Sequence, residues 1–150
     1  MSNEMTVSFP GGKRVTASYH GFEIATDQHP SSGGEGSAPE PYDLFLASLA
    51  TCAGIYVLGF CERRGIPYEG VRLVQRWHRQ PDHRMARIEL EIRVPAGFPE
   101  KYHRAIERAA AQCSVKRTMQ DPPEFDVRTV VDDGSPDEWP PSFGSSLPVR

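Results

Sequence analysis

An α+β fold, with antiparallel strands laid around two central helices, is the class that the sequence predicts, and three observations predict it. Eighteen consecutive residues from Leu44 to Cys61 (LFLASLATCAGIYVLGFC) carry no charge. A second apolar stripe recurs at helical spacing between Tyr102 and Cys113. Around both, short segments alternate apolar and polar residues with the two-residue period of strands that bury one face. The 150 residues fit one domain, and a chain of this size buries enough surface for a core without staples.

Taken in order, Thr6-Val7-Ser8-Phe9 and Val15-Thr16-Ala17-Ser18-Tyr19 flank Pro10-Gly11-Gly12, which signals a hairpin. A third short strand, Phe22-Glu23-Ile24, ends at Asp27. Pro30 to Ser37 (PSSGGEGS) is so rich in small residues that it reads as a mobile connector. It has no Lys-Ser/Thr ending and no strand leading tightly into it, so it is not a phosphate loop.

The uncharged run follows. Glu40-Pro41-Tyr42-Asp43 puts proline at the first helical position and acid in the first turn, where the helix dipole favours it. Glu62-Arg63-Arg64-Gly65 and Pro67 put basic residues in the last turn, then a glycine and a stop. The segment therefore reads as one helix of roughly 24 residues. Its uncharged length touches the lower limit of a membrane span, but Ser48, Thr51, Gly54 and Gly59 dilute it and charged strands surround it. A helix apolar on all sides is otherwise a buried central one. Short strands from one chain cannot enclose it, so a second copy of the chain is expected to cover it, and no membrane partner is expected.

Val71 to Trp77 and Ile88 to Val94 read as strands joined by the polar loop His78 to Arg84. A second helix starts at Pro99 and aligns Tyr102, Ala105, Ile106, Ala109, Ala110 and Cys113 on one stripe, which leaves Cys113 on the buried face at its end. A last strand, Phe125 to Val131, closes a domain of residues 1–131. Residues 132–150 (DDGSPDEWPPSFGSSLPVR) form a proline- and serine-rich tail, disordered or laid over a surface through Trp139 and Phe143.

Net charge is −3, which argues against a phosphate-neutralising surface, so nucleic acid is not an expected partner. Three cysteines without a CxxC pair, behind a start that lacks a basic leader (Met1-Ser2-Asn3-Glu4), point away from a stapled secreted fold. A reducing cytoplasm is the expected compartment. Among the cysteines, Cys52 lies between small residues (Ala50-Thr51-Cys52-Ala53-Gly54) that leave room for a substrate or a second sulfur. Cys61 is nine residues on, about 180° around the helix, and reads as a core thiol. A free cysteine is commonly a small buried hydrophobe, so spacing alone leaves Cys52 and Cys113 open between core residues and a working pair. The five histidines (His20, His29, His78, His83, His103) fall in none of the CxxC, HxxxH or HExxH spacings, and no metal is expected. Hydrolysis by a Cys/His pair would need a histidine brought in from elsewhere in the fold.

Two motifs carry more than spacing. Pro41-Tyr42-Asp43-Leu44-Phe45-Leu46-Ala47-Ser48-Leu49-Ala50-Thr51-Cys52 resembles the long-helix motif of the OsmC/Ohr family, proteins of osmotically inducible and organic-hydroperoxide-resistance type. Cys113-Ser114-Val115-Lys116-Arg117-Thr118-Met119 resembles the family's second motif, usually a Cys-Pro-Val run followed by a basic residue, with Ser114 in place of the proline. The order and separation of the motifs also fit, and the resemblance spans about residues 5–131.

The resemblance implies an intertwined α+β homodimer in which antiparallel sheets wrap around two central helices from each chain. It implies a peroxidatic thiol at Cys52 and a resolving thiol at Cys113. The thiolate would attack the O–O bond of an organic hydroperoxide, leaving a sulfenic acid that Cys113 condenses to a disulfide, and an external thiol reductant would reset the pair. No metal, flavin or haem is called for. It further implies an acid at the start of the long helix and a basic partner for the thiolate. Asp43, next to Tyr42, is the candidate acid, with plain helix capping as its alternative role. Arg14, in the Lys13-Arg14 pair of the first hairpin, is the candidate cation, and Arg117 is the other. The alternative function is a redox-responsive or ligand-binding dimer without efficient turnover.

Overall fold

The protein is described from a computed structural model covering residues 4–131. The tail, residues 132–150 with Trp139 and Phe143, lies outside the described residues. Strands β1 (Thr6–Gly11), β2 (Arg14–Tyr19) and β3 (Phe22–Thr26) form an antiparallel sheet in chain order. The β1–β2 turn uses Gly11 and Gly12 at φ 127° and 61°, a region that glycine enters without a Cβ penalty. Pairing of Val7 with Ala17, Ala17 with Ile24 and Tyr19 with Phe22 puts these apolar residues on one face. Within the chain that face stays open, with Val7 54% and Phe22 71% exposed.

Helix α1 (Pro41–Arg64) has the 24 residues expected of it. At its start the Glu40 backbone N–H donates to Asp43 Oδ2 at 3.0 Å, closing a capping box, and Gly65 ends it in the left-handed conformation. By length and composition α1 could cross a membrane, but one of its faces is the core of the protein. Leu46, Leu49, Ala53, Val57 and Phe60 are buried along that face, while Ala47, Thr51 and Ile55 form an exposed stripe on the other. The second sheet, β4 (Arg72–Arg79) with β5 (Met85–Arg93), turns Leu73, Leu90 and Ile92 toward the core. The Gln75 side-chain amide donates to the Leu46 carbonyl at 2.9 Å and ties this sheet to α1. Phe98, Ile106, Ala110 and Cys113 complete the core from the C-terminal segment.

Three expectations are corrected. The helix predicted from Pro99 to Cys113 is a 3-10 turn at Glu100–Tyr102 and a helix α2 (His103–Ala110), after which a separate helix α3 (Ser114–Gln120) begins. Cys113 stands between them in a non-helical conformation (φ −46°, ψ 119°), so the described residues hold three α-helices rather than two. The stripe itself holds, with Ile106, Ala110 and Cys113 all buried. Both helices pack on α1, so the apolar period runs through the break and does not reveal it.

The strand predicted for Phe125 to Val131 is irregular, and Phe125 and Val127 are 85% and 92% exposed. A strand needs a ladder partner for its backbone groups, and among the described residues none of the five strands pairs with this segment. The connector Pro30 to Ser37 is fastened rather than mobile. Asp27, almost wholly buried, accepts from the backbone N–H groups of Gln28 (2.7 Å), Glu35 (3.2 Å) and Ser37 (3.0 Å) and from the Ser37 hydroxyl (2.7 Å). Gly34 lies so close to the Gln28 backbone that an added Cβ would stand 2.0 Å from its carbonyl oxygen. The small residues serve this close approach.

Candidate functional site

Cys52 sits in the fourth turn of α1, on the edge between its buried and its open stripe, and is partly exposed. Cys113 is brought to it by the break before α3. The Cys113 thiol is buried, donates to the Leu49 carbonyl of α1 at 3.8 Å and accepts from the Lys116 backbone N–H at 3.4 Å, so it caps α3 and pins that helix to α1. The next residue, Ser114, places its hydroxyl 3.5 Å from the Cys52 sulfur. Two thiols sixty-one positions apart in the chain thus share one site, with Ser114 at its rim.

The surroundings separate the two sulfurs electrically. Cys52 is lowered from 9.0 to about 7 by the Ser114 hydroxyl, then by the Val115 backbone and the Cys113 side chain, against the opposing pull of burial. Those backbone groups are free to bond because the first N–H groups of a helix have no partner within it. Cys113 is pushed up, first by burial and also by the Cys52 sulfur, against the Lys116 backbone N–H that draws it down. Cys61 is fully buried in the core and also pushed up by burial. One sulfur is poised to ionise near neutral pH and its neighbour to hold its proton. This is the division that attack followed by condensation requires.

The other candidates lie elsewhere in the chain. Asp43 is spent on the capping box and stands nine residues before Cys52, roughly 13 Å along the helix axis. Arg14 donates to the Gly11 carbonyl at 3.2 Å within the first hairpin. Tyr42 lies under the Arg79 guanidinium, 4.9 Å from its ring centre. Arg117 is exposed in the last turn of α3. Among the described residues, the groups bonded to the Cys52 sulfur are neutral donors. Sequence reasoning passed over Ser114 as a mere replacement, although a hydroxyl where the motif usually has none was the available signal. Beside Cys113 a cleft of about 900 Å³ opens between α1, β5, α2 and α3, with Cys113 in its wall among Leu49, Ala53, Leu90 and Ile106.

A crystal structure of a Psychrobacter arcticus 273-4 protein, assigned to osmotic stress induction and detoxification response, is similar at TM-score 0.64 and 22% identity over 79% of this chain and 88% of that one. A second solved structure, from structural genomics, is similar at TM-score 0.60 and 17% identity, covering 79% and 90%. An organic hydroperoxide resistance protein OsmC from Legionella pneumophila gives TM-score 0.49 at 18% identity, covering 78% and 89%. No curated protein matches the sequence. The model of the OsmC-like protein family matches residues 34–128, from the fastened loop through both cysteine motifs, and the chain belongs to that family.

Proposed function

We propose that the protein is a thiol-dependent peroxidase that reduces organic hydroperoxides in the cytoplasm as a homodimer. The observation that carries the reading is the pairing of a low-pKa, accessible Cys52 with a buried, protonated Cys113. The Cys52 thiolate attacks the O–O bond, so an S–O bond forms, the peroxide is reduced by two electrons, and the departing alkoxide takes a proton and leaves as alcohol. The Cys113 thiol then condenses with the sulfenic acid, forming the disulfide and releasing water. An external dithiol returns both sulfurs to the reduced state. The open apolar face of the first sheet and the open stripe of α1 support the dimer, since a second copy would cover both. The relative named for a detoxification response is in keeping with this chemistry.

A second reading has its own support. With neutral donors on Cys52 among the described residues, the pair could serve a redox-responsive or ligand-binding dimer that turns over slowly. One equivalent of tert-butyl hydroperoxide added to reduced protein separates the two. Loss of two thiols and two mass units per chain, abolished in Cys52→Ser and in Cys113→Ser, is the result expected of the peroxidase. Oxidation only under large excess, or a Cys52→Ser protein that consumes peroxide as fast as wild type, would sink it.

A further inference from the structure

We infer that Ser114 is a positioning residue for Cys52, its hydroxyl donating to the sulfur and holding it as the thiolate, in company with donors that are neutral among the described residues. This deepens the peroxidase reading and takes the Cys52 chemistry from it. The hydroxyl stands 3.5 Å from the sulfur, within the reach of an O–H···S bond. A thiolate has no proton to give, so in the ionised form the serine must be the donor. A hydrogen bond made to the charged form favours that form, and one made to an ion is stronger than one between neutral groups. The position is also fixed. Ser114 opens α3 directly after Cys113, whose sulfur is held on both sides by Leu49 and Lys116, so the backbone that carries the hydroxyl is anchored beside α1. The effect of this bond runs with those of the Val115 and Ser114 backbone groups at the same helix start.

Ser114 is exposed, so its substitution leaves the core untouched. The test is the pH dependence of Cys52 alkylation by iodoacetamide on the full chain, read by peptide mass spectrometry in wild type, Ser114→Ala and Ser114→Thr. Wild type should show a midpoint about 7. Ser114→Ala should move it up by about one unit, cutting the thiolate fraction at neutral pH by roughly fivefold, and Ser114→Thr should keep the wild-type midpoint. The midpoint is the quantity to read, because a more basic thiolate is also a better nucleophile and partly hides the loss in a single rate. An alanine variant with the wild-type midpoint overturns the inference, as does a threonine variant that shifts as far as alanine. Peroxide consumption is read separately. A shifted midpoint in a protein that consumes no peroxide keeps the role of Ser114 and removes the peroxidase. An unshifted midpoint with consumption intact removes only the role of Ser114.

Discussion

Asp27 shows how much one side chain can organise. Its carboxylate gathers the chain from Gln28 to Ser37, and those donors hold it down from 3.8 to about 2, with the Ser37 backbone N–H the largest cause. The folded state therefore binds this proton less readily than the unfolded one, and the linked stability is present above the unfolded value and lost as pH falls through about 2. Asp27→Asn should melt several degrees below wild type at neutral pH, and the gap should close on acidification in parallel thermal scans; a gap independent of pH would contradict it. Gly34 is the other half of the same device. Gly34→Ala forces a Cβ into the Gln28 carbonyl and should cost on the order of 2 kcal/mol in denaturant titration. Cys61, with no exposed surface, should stay out of the chemistry. A Cys61→Ala protein given one equivalent of hydroperoxide should retain no titratable thiol, whereas wild type retains one.

At the scale of elements, α1 has two faces with different tolerances. Ala53 is 2% exposed against the C-terminal helices, so Ala53→Leu should overpack that contact and lower stability by ~1–3 kcal/mol, measured by chemical denaturation at any protein concentration. The short helix α3 depends on its cap. The Cys113 sulfur accepts the Lys116 N–H that would otherwise be orphaned, so converting that sulfur to a disulfide withdraws an acceptor from the helix start. Hydrogen exchange of the Lys116 amide should accelerate in the oxidised protein, and equal protection in both redox states would show that the cap survives.

For the whole molecule, part of the exposed apolar surface gathers into two patches. Val7, Phe22 and Ile24 share one face of the first sheet, and Ala47, Thr51 and Ile55 share one stripe of α1. Gly54 lies beside that stripe, and an added Cβ there meets nothing within 4 Å of its own chain. Gly54→Leu should thus be harmless to a lone chain and harmful to a dimer that packs on this face. Sedimentation should find wild type dimeric and Gly54→Leu shifted toward monomer as concentration falls. A monomeric wild type would remove the second copy from the account.

The boundaries of α1, the first hairpin and the strand that follows it, the core position of Cys61 and the buried stripe ending at Cys113 were legible in the sequence. Each depends on local chemistry: a proline and an acid at a helix start, a glycine at its end, apolar periods of two or of 3.6. The break before α3, the fastening of the Pro30 to Ser37 loop and the meeting of Ser114 with Cys52 were not legible. All three are set by groups distant in the chain. The stripe continues through the break because both pieces pack on the same helix, and the loop is held by a carboxylate up to ten residues away. The electrical inequality of the two thiols is decided the same way. Sequence named Cys52 and Cys113, but which of them ionises follows from burial and from hydrogen bonds across sixty-two positions, and those exist only once α3 is docked on α1.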